Sequence, residues 1–256
     1  MGSGTRVSEG VLILWVIALL GCGGSSLKPS NGAAGGHGGS TDTGSGGASA
    51  GDAAADTLPT CSGTCVVPFA SSSDWAAYDD DPASNSAAQL LGAAQPVCLS
   101  PTSPPSCPAG AVIYAFGGGW GLDLSSTPGA LWVWAPGTTP SAPAYLKHAI
   151  FSKTFVLGAT PGGTMRVAVD DMAEVRVNGH PVGTTGSTSD VNLAAQANSS
   201  LKSFDLTPML VPGSNTITVD AQNGPASYAG GGCPSSGCPY SMNPGGVVFG
   251  GSLTYH

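Results

Sequence analysis

The sequence predicts an all-β fold, a sandwich of two packed sheets, on three observations. Gly (40) and Pro (21) make up nearly a quarter of the 256 residues, while charged residues are only 9% and hydrophobic ones 41%. From about residue 66 onward Gly and Pro recur every few residues, and the apolar runs between them are short, the pattern of short strands joined by turns. Two stretches also alternate with period two, Met165, Val167 and Val169 in one and Val175 and Val177 in the other. The chain is too apolar and too weakly charged for wholesale disorder. With seven basic against fifteen acidic residues, a net charge of −8, it lacks the Lys/Arg clusters that grip nucleic acid or anionic lipid.

Taken in chain order, residues 1–22 read as a secretory leader. Arg6 supplies charge, and VLILWVIALL (Val11 to Leu20) is long enough for an h-region and too short to span a bilayer. The leader ends in Leu19-Leu20-Gly21-Cys22, which resembles the lipobox of bacterial lipoproteins. That resemblance implies cleavage before Cys22 and a lipid on its sulfur; with Gly23 next, it implies the outer membrane. The alternative is an ordinary secretory peptide with a stray Cys. Residues 23–60 are Gly-rich with almost nothing to bury, and read as a flexible tether reaching about 35 Å. Residues 61–256 are then the folded domain.

Six cysteines remain beyond Cys22: Cys61, Cys65, Cys98, Cys107, Cys233 and Cys238. An even count in an oxidising compartment predicts disulfides, with fifteen connectivities open. The close spacings favour 61–65, 98–107 and 233–238. No C-x2-C knuckle with a nearby His points to zinc. Asp79-Asp80-Asp81 could help hold a structural Ca²⁺ through hard oxygen ligands, but lacks EF-hand spacing and also reads as a solvated acidic turn. No other cofactor is implied.

Ser86 to Ala94 is the one mildly helical stretch. Strands follow: Leu131 to Trp134, with Trp132 and Trp134 both facing the core; Ile150 to Leu157; Thr164 to Asp170; and Ala173 to Asn178. Asn178-Gly179 is a hairpin signal, because both residues tolerate positive φ. Phe204 to Leu210 predicts one helical turn or a tight bend. Thr216 to Ala221 and Val247 to Tyr255 are the last strands. The run from Leu131 to Tyr255 resembles the galactose-binding-domain-like jelly rolls, through LWVW, IFSKTFVL, MRVAVDDMAEVRVNGHPVG, FDLTPMLVPGSNTITVDAQN and GGVVFGGSLTY. This resemblance implies a jelly-roll β-sandwich and a carbohydrate-binding role.

No nucleophile motif accompanies His148, His180 or His256, and Glu174 is the only Glu after the leader, so the sequence predicts no enzyme. Asp170 and Asp171 are adjacent, and on an extended chain adjacent side chains face apart, so they read as turn-capping residues. A sugar binder presents an aromatic plane for C–H faces and polar side chains for hydroxyls. The candidates are Trp120, set among glycines, Tyr228 and Tyr240, which flank the Cys233–Cys238 insertion, and the loop polars Asn178, His180 and Asn223. The leading expectation is a lipid-anchored, glycan-binding envelope sandwich. The alternative is a structural or protein-interaction module of the bacterial cell envelope.

Overall fold

The computed structural model describes residues 62–79, 89–101, 107–117, 120–144, 146–229, 233 and 237–256. The leader with Cys22, the tether, Cys61 and Asp80-Asp81 lie outside them. Two sheets face each other. The larger runs in the order β11 (Lys202–Asp205), β8 (Gly162–Asp170), β13 (Gly246–Tyr255), β6 (Val133–Trp134), β4 (Gln95–Cys98) and β5 (Val112–Ile113), with β1 (Cys65–Ala70) also paired to β13. The other runs β10 (His180–Gly186), β9 (Met172–Val177), β12 (Gly213–Gln222), β7 (His148–Leu157), β2 (Ala76–Asp79) and β3 (Gln89–Ala93). Helix α1 (Val191–Ser199) packs on β8 and β10. The all-β sandwich read from the sequence is the fold the chain adopts.

Alternation places the core. Met165, Val167 and Val169 of β8 are buried while Thr164 and Arg166 are exposed. In β9, Ala173, Val175 and Val177 are buried, and Glu174 and Arg176 pair with each other on the outer face. Between the sheets the Trp75 ring meets Phe249 of β13 edge-on at 4.6 Å and Phe155 of β7 at 6.2 Å. Its indole N–H donates to the Ala70 carbonyl at 3.0 Å, so this buried ring carries no unmet donor. Ala168, on the opposite face of β8 from the core, is nonetheless fully buried, because α1 packs on that strand.

The Asn178-Gly179 hairpin forms as expected, with φ of +53° and +80°. Asn178 also clamps the neighbouring loop. Its amide donates to the Met209 carbonyl and to Asn215 Oδ1, both at 3.1 Å, and its Oδ1 accepts the Thr216 N–H at 2.9 Å. Thr207–Met209 is the single helical turn the sequence predicted. Two expectations are corrected. Gln89–Ala93, inside the stretch read as helical, is a strand paired to β2. Val191–Ser199, outside the one stretch read as helical, is a helix whose first turn is capped by Asp190, which accepts from the Asn192 and Leu193 N–H groups.

Cys98 is bonded to Cys107 and Cys233 to Cys238, the close-neighbour pairing. Cys65 is disulfide-bonded too; its expected partner, Cys61, lies outside the described residues.

Candidate functional site

The site is built where the chain leaves one sheet for the other. Asp170 is the last residue of β8 in the larger sheet; Met172 opens β9 in the second. Strict alternation holds only within a strand. At this crossing the two carboxyl groups come together and hydrogen-bond to each other, which corrects the expectation that they face apart. Asp170 Oδ2 accepts the Trp120 indole N–H at 3.0 Å, and the Asn198 side chain of α1 is also bonded to it. Asp171 Oδ2 accepts the Gly224 N–H at 2.6 Å.

Glycines make this assembly possible. A Cβ on Gly186, whose φ is +77°, would run into the Asp171 carbonyl oxygen, and one on Gly246 would lie 2.6 Å from the Trp120 ring. Helix α1 sits close because its inner residues, Ala194 and Ala197, are small. The loop between β12 and β13 is held by amides. Asn223 donates to the carbonyls of Ala144 and Asn243, at 2.8 and 3.0 Å, and Asn243 donates to that of Gly224 at 3.1 Å.

Two adjoining cavities open over this floor. One, of about 320 Å³, is lined by Leu99, Phe116, Trp120, Asp170, Asn198 and Ser199. The other, of about 160 Å³, shares Phe116, Asp170 and Asn198 and adds Asp171, Tyr228 and Asn243. The Tyr228 hydroxyl is buried with no hydrogen-bond partner among the described residues. Burial, and then the charge of Asp170, push the Asp171 carboxyl up to about 8; burial raises Asp170 as well, against the hydrogen bonds it accepts. The pair therefore keeps a proton, on Asp171, through neutral pH. Two carboxyls in direct hydrogen bond are closer than the separation of about 5 Å with which a retaining glycosidase flanks a scissile bond. The arrangement suits accepting hydrogen bonds from hydroxyls.

The expected platform residues are placed differently from the reading of an open plane. Trp120 is only 7% exposed and stacks on Trp132 at 4.1 Å. Tyr240 is buried, with its hydroxyl accepting the Trp134 indole N–H at 2.8 Å. Asn223 is wholly buried in its loop. Asn178 and His180 sit at the far end of β9, away from the carboxyl pair, with His180 exposed. Of the six, Tyr228 lines the cleft and Trp120 supports it. Phe116 and Asn198 were missed: Phe116 is set there by its N–H bond to the Leu99 carbonyl at 2.9 Å, and Asn198 by the packing of α1 on β8, neither of which a local motif marks. Among the described residues no three His, Cys, Asp or Glu side chains converge on a metal site, and of the acidic run only Asp79 is described.

No protein-family model and no curated protein matches the chain. Among solved structures it is similar to a Streptomyces avermitilis alpha-L-rhamnosidase complexed with L-rhamnose, at 23% identity over 46% of this chain and 10% of that one, TM-score 0.33. It is also similar to an Eisenbergiella tayi GH2 beta-galacturonidase, at 16% identity over 73% and 24%, TM-score 0.36. A third is a Ruminococcus gnavus beta-glucuronidase, at 11% identity over 75% and 29%, TM-score 0.38. The chain spans under a third of the length of each.

Proposed function

We propose that this chain binds glycans, without cleaving them, in the cleft over the Asp170–Asp171 pair. The observation that carries the reading is the convergence in one cavity of two half-buried rings, Phe116 and Tyr228, with a carboxyl pair and the Asn198 amide. Rings meet the C–H faces of a sugar, and carboxyl and amide groups meet its hydroxyls. A glycan array followed by titration tests it. The folded protein is expected to retain at least one glycan, with Phe116→Ala and Asn198→Ala each weakening binding roughly tenfold. No retained glycan, or both variants binding as tightly as wild type, sinks the reading.

The proposal includes a lipid on Cys22 that holds the domain at the outer membrane, on the strength of the VLILWVIALLGC run. Cys22→Ala is expected to move the protein from the detergent-extracted fraction to the soluble one; an unchanged membrane fraction contradicts the anchor. An envelope-protein partner is the second reading. It is favoured by β3, an edge strand that turns Leu90 and Leu91 to solvent. A cross-linked partner in the absence of any glycan binding decides for it.

A further inference from the structure

We propose a second binding site, on the outer face of the larger sheet, that takes an anionic saccharide by its carboxylate or sulfate group. It stands apart from the cleft and does not rest on the reading given to that site. A groove of about 670 Å³ crosses β8, β13 and β1. Thr164 and Arg166 line it from β8, Ser252 from β13 and Pro68 from β1; Ser126 and Pro128 close it from the loop before β6.

Alternation along β8 sends its apolar side chains inward and leaves Arg166 exposed on the other face. Arg166 lies opposite Gly250 of β13, so no side chain stands beside it there and the floor is low. A Cβ on Gly250 would come 3.1 Å from Thr127 and from the Phe69 carbonyl oxygen, so the glycine also lets the wall close down.

Of the two arginines among the described residues, Arg176 is ion-paired and Arg166 is not. Lys153 is paired with Asp74, Arg176 with Glu174 and His148 with Asp220, and Lys202 donates to the Thr184 carbonyl. Arg166 has no ion-pair or hydrogen-bond partner among the described residues. On a chain of net charge −8, a guanidinium with no carboxylate partner among the described residues is where an anion can dock. Its planar fork matches a carboxylate or sulfate with two parallel N–H donors. The surrounding hydroxyls and proline rings suit the hydroxyls and C–H faces of a sugar. The volume exceeds what one ion needs and falls in the range of about 300–1,000 Å³ usual for organic ligands.

The test titrates the full chain, wild type and Arg166→Ala, with a uronate trisaccharide, a sulfated trisaccharide, a neutral trisaccharide and sodium sulfate. At least one acidic saccharide is expected to bind, weakening about tenfold or more in Arg166→Ala and less in Arg166→Lys, which keeps the charge but not the fork. The tighter of the two names the oxyanion. Amide shifts at Thr164, Arg166 and Ser252 follow this groove, which separates its binding from any at the cleft. Acidic saccharides that bind Arg166→Ala as well as wild type overturn the proposal. So does sodium sulfate binding as tightly as the saccharides, since the groove then holds an adventitious ion only.

Discussion

Trp120→Ala is expected to destabilise the domain by about 3–5 kcal/mol, the range for truncating a buried aromatic. The indole is 7% exposed, stacks on Trp132 at 4.1 Å, meets Tyr114 edge-on at 6.5 Å and covers Gly246. It also donates to Asp170, so its loss leaves a buried carboxyl short of a donor. Trp120→Phe keeps most of the packing and removes only the donor, and is expected to cost about 1–3 kcal/mol. Urea unfolding followed by circular dichroism measures both. A cost under about 1 kcal/mol for Trp120→Ala would mean that the ring is an open platform after all.

The second large effect is on the pH dependence of stability. Asp171 has an ordinary carboxyl value near 3.8 in the unfolded chain and is pushed up to about 8 in the fold. Below about pH 4 both states hold this proton and nothing is lost. Between about 4 and 8 the unfolded chain has released a proton that the folded one keeps, so stability falls as pH rises, by at most about 1.4 kcal/mol per pH unit from this group. Above about 8 the loss is complete and the curve levels. Asp171→Asn cannot ionise and preserves an oxygen for the Gly224 N–H, so its stability is expected to be flatter over this window and to exceed that of wild type at pH 8. Parallel profiles for the two proteins would show that Asp171 ionises in the fold as it does in the open chain.

These effects arise where the sequence was least legible. Strands β8 and β9 were plain from their alternation, and the β9–β10 hairpin from Asn178-Gly179, because each carries its own periodicity or turn. The short strands β1 to β4 were not, since Pro or Gly interrupts three of them, β2 is only four residues long, and distant partners hold them in place. Gln89–Ala93 shows the same override: pairing with β2 outweighs a weak local helical preference. Glycines beside Trp120 suggested an exposed ring, yet the space that receives the ring is made by Gly246, more than a hundred residues away. Asp170 and Asp171 were set apart by a rule for extended chain that fails where a strand changes sheets. The Asp-Asp pair stood in view, but nothing local marked Asn198 or Phe116 as its neighbours.

Amide shift mapping during titration with the tightest glycan found on the array tests the central claim most directly. The shifts are expected to concentrate at Phe116, Asn198, Tyr228 and Asn243, around the carboxyl pair. Shifts confined to the Asn178–His180 hairpin, or to the β3 edge, would contradict it.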